Sequence, residues 1–319
     1  MSSKPLIFVD GEEGTTGLQI YDRLAERPDV EVLRIDPALR KDTKARRALL
    51  NEADVAFLCL PDAAARESVA LTDNPRTRII DTSTAHRTAE DWAYGIPELD
   101  AAARHTIRGA TRLSVPGCHA TGFVMNVYPL VKEGVIPADS LLTCHSISGY
   151  SGGGKKLIAQ YEAPDADRKK LSSPRLYSLA LKHKHLPEMR VRGGLRLAPI
   201  FSPIVGDYYQ GMVVSVPLFP SLLGKKVAAS DVRDILAGYY AGERFVTVMP
   251  YEAEPALDGG YLDAQVCNGT NQIDLFVFGA EDRILLSARL DNLGKGSSGA
   301  ALQCMNIQLG LDEALGLAG

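Results

Sequence analysis

Short apolar runs without alternation, separated by glycine turns and helical spacings, mark the first third of the chain. Leu6-Ile-Phe-Val9 is such a run, as expected of a strand buried on both faces of a parallel sheet. It ends at Asp10-Gly11-Glu-Glu-Gly14-Thr-Thr-Gly17, after which Leu18, Tyr21, Leu24 and Ala25 recur at helical spacing until Arg27-Pro28-Asp29 stops the pattern. Val30–Ile35, Asp54–Leu60, Arg78–Asp81 and Thr111–Val115 repeat the strand signature, and Ala63–Leu71 reads as a helix. Tyr94-Gly-Ile-Pro-Glu98-Leu reads as irregular. Strands alternating with helices predict a doubly wound α/β unit.

A helix is predicted from Cys118, with Ala120, Phe123, Val124, Val127 and Leu130 on its apolar positions. From Ser140 the period changes. Ser140–Ser146, Leu195–Ile204, Gly211–Leu218, Arg244–Met249, Ile273–Phe278 and Arg283–Leu290 read as strands that alternate or run antiparallel, the last two joined as a hairpin through Gly279-Ala-Glu-Asp282. A short helical run containing Arg175, Tyr177 and Leu181 precedes His183 and His185, which at i, i+2 would share a strand face, and Pro187 suits the first turn of another helix. Ala300 to Leu315 carries two apolar stripes, the mark of a helix buried between neighbours. The expected architecture is therefore α/β, with a dinucleotide-binding Rossmann domain over 1–117 and 297–319. An α+β domain is inserted over 118–296, and the C-terminal helix returns to the first domain.

Composition narrows the function classes. With 319 residues, 45% hydrophobic and 23% charged, the chain can bury a sizeable core. A net charge of −4 and pI near 5.9 argue against nucleic acid, whose backbone demands clustered Lys and Arg. No apolar run approaches the ~18 residues of a spanning helix, and the N-terminus lacks a leader pattern, so neither a membrane nor secretion is expected and a cytoplasmic location fits. Five widely spaced cysteines without CxxC predict no disulfide framework and no metal site.

The candidate chemistry falls in five places. Gly11, Gly14 and Gly17, with Thr15 and Thr16 at the helix start, form a variant dinucleotide fingerprint whose turn admits close backbone approach and whose helix N-terminus faces a pyrophosphate. Glu12 and Glu13 inside that turn would repel the anion unless they point to solvent. Asp36, about 20 residues on, suits an unphosphorylated ribose, whereas Arg34, Arg40 and Lys41 at the same strand end suit a 2′-phosphate, so the residues leave NAD and NADP open. Ser83 and Thr84 are cofactor contacts or loop caps.

Cys118 follows Pro116-Gly117 at a helix N-terminus, where the dipole raises the thiolate fraction. It is a nucleophile or a buried thiol, placed at the seam between cofactor shelf and substrate pocket, while the other four cysteines read as small hydrophobes. His119, adjacent on the helix, diverges from it. Gly149-Tyr-Ser-Gly-Gly-Gly154-Lys155 formally fits a P-loop, but Lys156 stands where Ser or Thr would be needed, leaving a phosphate cradle or a plain loop. His183 or His185 is a candidate acid/base, against a basic loop or an adventitious metal pair.

Together Gly11–Gly17, Pro116-Gly117-Cys118-His-Ala-Thr-Gly122, Ser148–Lys155, His183-Lys-His185-Leu-Pro-Glu188 and Asp291-Asn292-Leu-Gly-Lys-Gly296 resemble the N-acetyl-γ-glutamyl-phosphate reductase family in its shorter form, in the family's order along nearly the whole chain. The resemblance implies NADPH-dependent reduction of a small acyl phosphate through a thioester on Cys118, with His183 as acid/base. It places Arg112, Ser148, Gly149, Lys155, Lys156, His185 and Glu188 at the substrate. It places the glycine turn, Arg34, Arg40, Lys41, Pro61, Ser83, Asn292 and Gly296 at NADP. A homodimer or homotetramer is implied. The rival expectations are a paralogue acting on aspartyl or aminoadipyl phosphate and a non-catalytic NADP sensor.

Overall fold

The structure, a computed structural model, describes residues 4–11, 14–251 and 253–319, so the expectation for Glu12 and Glu13 lies outside the described residues. The chain divides into two compact units, residues 1–116 with 297–317 and residues 117–296 with 318–319.

The first unit runs β1 (Leu6–Asp10), α1 (Thr15–Ala25), β2 (Glu31–Leu33), α2 (Thr43–Glu52), β3 (Val55–Leu58), α3 (Asp62–Leu71), β4 (Arg78–Asp81), β5 (Ala93–Tyr94), α4 (Ala103–Gly109) and β6 (Arg112–Ser114). Its six strands are all parallel in the order β2-β1-β3-β4-β6-β5. Because β1 has β2 on one side and β3 on the other, the topology switches at β1, and the crevice beyond its carboxyl end is where such sheets bind ligands. Ala93–Tyr94, expected to be irregular, pairs with Leu113 and Ser114 as a two-residue strand too short to show a period.

The second unit begins with α5 (Cys118–Lys132), followed by β7 (Thr143–Gly149), α6 (Gly154–Glu162), α7 (Arg168–Leu171), β8 (Arg175–Leu176), α8 (Leu186–Arg192), β9 (Ile200–Gly206), β10 (Met212–Leu218), α9 (Ala229–Tyr239), β11 (Val246–Val248), β12 (Ile273–Ala280) and β13 (Arg283–Leu290). Its seven-stranded mixed sheet has the order β11-β12-β13-β10-β7-β9-β8. The hairpin expected at 279–282 is present, Ala280 facing Arg283 across the β12–β13 turn.

On α5, Phe123, Val124, Val127 and Leu130 are fully buried, each contributing about 1.5–3 kcal/mol. The helix packs on β10 and β13, closely enough that a Cβ at Gly122 would lie 2.6 Å from Val214. Pro129 interrupts this helix and cannot bond to the Met125 carbonyl four residues back. The Tyr240 hydroxyl donates to that carbonyl instead, at 2.8 Å, so the broken ladder is repaired from outside.

Two expectations fail here. The run containing Arg175, Tyr177 and Leu181 is not helical: Arg175–Leu176 is an edge strand against β9, and Ser178 and Leu181 take positive φ of 56° and 54° to turn the chain. The histidine pair lies in the turn before α8 rather than on a strand.

The chain ends in α10 (Gly299–Leu309), which belongs to the first unit and packs in its core with Ile7, Val9, Ile20 and Phe57. Residues 299–308 are buried on every side, as the two stripes require. The helix stops before Leu315 because Gly310 adopts the left-handed C-cap conformation, φ 71°.

Candidate active site

In the first unit a cavity of about 380 Å³ opens at the carboxyl ends of β1 and β3, lined by Asp10, Gly11, Arg40, Lys41, Arg46 and Leu60 among others. Gly11 has φ +93°, and a Cβ there would lie 2.5 Å from the Cys59 carbonyl oxygen, so only glycine can make this turn. α1 then starts at Thr15 without a side-chain cap and with no acid in its first turn, and the buried Thr15 Oγ1 has no partner. Uncapped N–H groups and an orphaned hydroxyl at a helix start fit the pyrophosphate of a dinucleotide. Thr16 Oγ1 is 3.0 Å from the Ser297 hydroxyl, and Gly17 is buried within α1.

Asp10, an acid beside that anion site, is neutralised by Arg46. This guanidinium donates to Asp10 Oδ2 at 3.0 Å and to Ser68 at 2.6 Å, and the Ser68 hydroxyl also lies 2.7 Å from Asp10 Oδ2. Asp36 accepts from Ala38 N at 2.8 Å, which commits its carboxylate to its own turn. Arg34 stacks over Tyr21, 5.0 Å from the ring centre, whereas Arg40 and Lys41 line the cavity. Pro61 caps α3 from an exposed position. Ser83 and Thr84 act as loop caps, donating their hydroxyl protons to Asp81 at 2.8 Å and Asp62 at 2.6 Å.

In the second unit, Cys118 is the first residue of α5 and half-buried. The Gly117 N–H before it donates to Glu188 Oε1 at 2.9 Å, so the acid of the His-x-His-x-x-Glu segment braces the nucleophile's turn. A Cβ at Gly296 would sit 2.8 Å from Cys118 Cβ, which makes Gly296 a wall against which the cysteine rests. Burial pushes the Cys59 and Cys267 thiols up to about 12 and Cys144 higher still, holding all three as thiols.

His119 turns away from its neighbour and joins an imidazole cluster. Its Nδ1 lies 2.7 Å from the Ser146 hydroxyl and its Nε2 3.0 Å from the Tyr177 hydroxyl, and its ring centre is 5.7 Å from His183 and 5.4 Å from His185. Burial first, then the charges of His183 and Lys184, push His119 down to about 3. His183 is driven down to about 4, first by burial and then by Lys184. The His185 N–H donates to His183 Nδ1 at 3.2 Å, a bond that requires a lone pair there and so favours the same neutral ring, with its proton on Nε2.

A cavity of about 600 Å³ beside the cluster is lined by His119, Ser148, Gly149, Lys156, Arg175, Tyr177 and His183 among others. It gathers Ser148, Gly149 and His183 as expected, while His185 is a buried residue at the N-cap of α8. Of the two expected lysines, Lys155 is exposed and outside the lining, whereas Lys156, next on α6, is part of it, because adjacent helical positions diverge. Arg112 opens β6 in the first unit and donates to the Thr77 and Thr111 carbonyls at 3.4 and 3.1 Å. Asn292 accepts from Gly211 N at 2.8 Å and donates to Ser151 at 3.0 Å, so both ends of its amide brace the loops of the second unit.

Arg46, His119, Arg175 and Tyr177 were missed as site residues. Arg175 stacks over Tyr161 at 5.1 Å and donates to that hydroxyl at 2.8 Å, leaving its buried Nε without a partner.

Residues 34–107 match a model of the NAD-binding domain of semialdehyde dehydrogenase, and residues 118–292 match a model of the same group's dimerisation domain. The backbone superposes on aspartate semialdehyde dehydrogenase II of Vibrio cholerae, solved with ASA, with TM-score 0.71 over 97% of this chain and 99% of that one at 12% identity. The aspartate semialdehyde dehydrogenase of Francisella tularensis gives TM-score 0.71 over 95% and 99%, at 13% identity. Fold and domain matches define an oxidoreductase of the semialdehyde dehydrogenase class that binds a nicotinamide cofactor. N-acetyl-gamma-glutamyl-phosphate reductase 2 of Nostoc sp. is 48% identical over 99% of this chain and all of its own length. The reductase of Brucella ovis is 49% identical over 96% and 99%. The chain belongs to the N-acetyl-γ-glutamyl-phosphate reductase family. No helix among the described residues is long and apolar enough to cross a membrane.

Proposed function

We propose that this enzyme reduces N-acetyl-γ-glutamyl phosphate to N-acetylglutamate 5-semialdehyde and phosphate, with NADPH, in arginine biosynthesis. The observation that carries the reading is a half-buried cysteine at the start of α5, braced by Glu188 and followed by His119 of the imidazole-lined cavity, in a chain 48% identical to a reductase over 99% of its length.

Cys118 attacks the γ-carbonyl carbon as neutral His183 takes the thiol proton on Nδ1, its one ring lone pair, for which the long 3.2 Å bond from His185 N–H yields. The carbon–sulfur bond forms, the carbon–oxygen bond to phosphate breaks, and His183 passes its proton to the departing oxygen. Lys156 and Arg175, two of the cations in the cavity lining, hold the anionic ends of the substrate as charge-assisted donors. A bound reduced nicotinamide supplies the hydride that the thioester carbon accepts. His183 then offers its ring N–H to the charged oxygen of the thiohemiacetal, which expels the Cys118 thiolate and leaves the aldehyde. His185 holds His183 through the 3.2 Å backbone contact, and Glu188 holds the Cys118 turn.

The 2′-phosphate of NADP is read by Arg40 and Lys41, which line the first unit's cavity beside the Asp10-paired Arg46. Replacing both by Ala is expected to raise the KM for NADPH by about ten- to a hundredfold, the loss of charge-assisted bonds, while kcat/KM with NADH holds. Parallel losses with both reductants would remove the phosphate from that position. The match to a dimerisation domain supports a homodimer or homotetramer. Five cysteines, all free thiols, fit the cytoplasm.

The reaction is tested in the oxidative direction, by phosphate-dependent reduction of NADP with each semialdehyde. N-acetylglutamate semialdehyde should exceed aspartate semialdehyde in kcat/KM by at least about a hundredfold, as expected when a site's polar groups are left unpaired by the wrong substrate. Equal or reversed preference overturns the substrate, and NADPH binding without turnover of either overturns catalysis.

A further inference from the structure

His119, His183 and His185 come from two separate segments, the second residue of α5 and the turn before α8, yet one ring nitrogen from each lies within 4.8 Å of the other two. Two of the three rings are buried and one is half-buried. We propose that the three imidazoles form a binding site for a single zinc ion, and that filling it stops turnover.

The donor set is nitrogen only, which suits zinc and its late first-row neighbours and excludes magnesium and calcium as tight ligands. Two nitrogens bound to one tetrahedral zinc at ~2.05 Å stand about 3.3 Å apart, so the rings must close by up to about 1.5 Å. His183 is the movable arm, because it is half-buried and its ring meets the backbone through the long 3.2 Å contact from His185 N. His119 is the fixed arm. Its Nδ1 faces the Ser146 hydroxyl at 2.7 Å, the orienting partner that metal-binding histidines require on the nitrogen opposite the ion, and its Nε2 faces Tyr177, whose hydroxyl must yield the position. Three neutral imidazoles leave the ion's charge uncompensated and one tetrahedral position open. Water or hydroxide from the adjoining cavity completes the tetrahedron. Capture of His183 by the ion removes the base, and this inhibitory half rests on the role given to that residue above.

The test is a cobalt(II) titration of the reduced, chelator-treated full chain without substrate or nucleotide, with zinc as competitor. One tetrahedral cobalt spectrum per chain is expected. His119→Gln and His185→Gln should each weaken binding by at least about a hundredfold, and Ser146→Ala by about tenfold, the scale of an orienting partner. Ser146→Ala tests the site with little disturbance of the buried rings. No saturable binding at micromolar metal, or binding indifferent to the His119 and His185 variants, overturns the site. Saturable binding that those variants abolish, in an enzyme still active when zinc is bound, leaves the site standing and overturns the inhibitory half.

Discussion

Cys118→Ser is expected to lower kcat by at least about a thousandfold, the scale of losing a covalent nucleophile, without unfolding the protein. The substitution exchanges one small atom at the first position of α5. Gly296 stands close to Cys118 Cβ, which serine retains, and the Gly117–Glu188 bond involves backbone only on the helix side. Melting temperature and NADPH binding should therefore hold while turnover disappears. A stronger form of the experiment omits the reductant. Mixed with the acyl phosphate, the wild type should release one phosphate per active site in a rapid burst, and the serine variant none. A variant keeping more than about a tenth of wild-type turnover, or showing the same burst, removes the thioester from the mechanism. The other cysteines are poor substitutes, since burial holds Cys59, Cys144 and Cys267 as thiols and Cys304 is fully enclosed in α10.

The architecture was legible where burial is two-sided. Strands β1, β3 and β4 are covered on both faces, so their apolar runs are continuous and stand out from the flanking turns. α2 escaped because its inward face is Leu50 and Arg46, and a buried cation reads as a polar position even when it is paired with Asp10. β7 was read about three residues early: Leu141 and Leu142 look like strand residues, yet Leu141 is 85% exposed and the ladder begins at Thr143. Nothing local distinguishes an apolar residue that enters a sheet from one that stands beside it.

The site divides in the same way. Gly11 and Cys118 were readable because each is set by its own neighbours, a turn that admits no side chain and a Pro-Gly before a helix. Arg175 and His119 were not. The choice between Lys155 and Lys156 depends on the phase of a helix that starts at Gly154. Arg175 reaches the cavity only because its segment is an edge strand, and His119 finds Ser146 and Tyr177 at separations of 27 and 58 residues.

His183→Asn is expected to reduce kcat by about 10²–10⁴-fold, the range for a lost acid/base, and to slow the phosphate burst in parallel, while Cys118 remains open to alkylation. The pH profile separates this role from a structural one. The His183 ring lies at about 4, displaced downward by burial and secondarily by Lys184, so the free enzyme carries it neutral throughout the physiological range. Neutral imidazole is the form that can take the thiol proton; kcat/KM should therefore stay flat from neutrality downward and fall only as pH approaches about 4. An unperturbed histidine would already give that fall near pH 6.5. Removing the neighbouring charge with Lys184→Gln should move the limb to higher pH, because the protonated ring is then less disfavoured, and the burial that contributes most should keep it below the ordinary histidine value. His185→Asn should weaken the reaction less, since His185 is buried at the N-cap of α8 and meets His183 through its backbone N–H, which asparagine retains. An acidic limb that persists unchanged in His183→Asn, or a larger loss at His185 than at His183, would transfer the proton chemistry to another group.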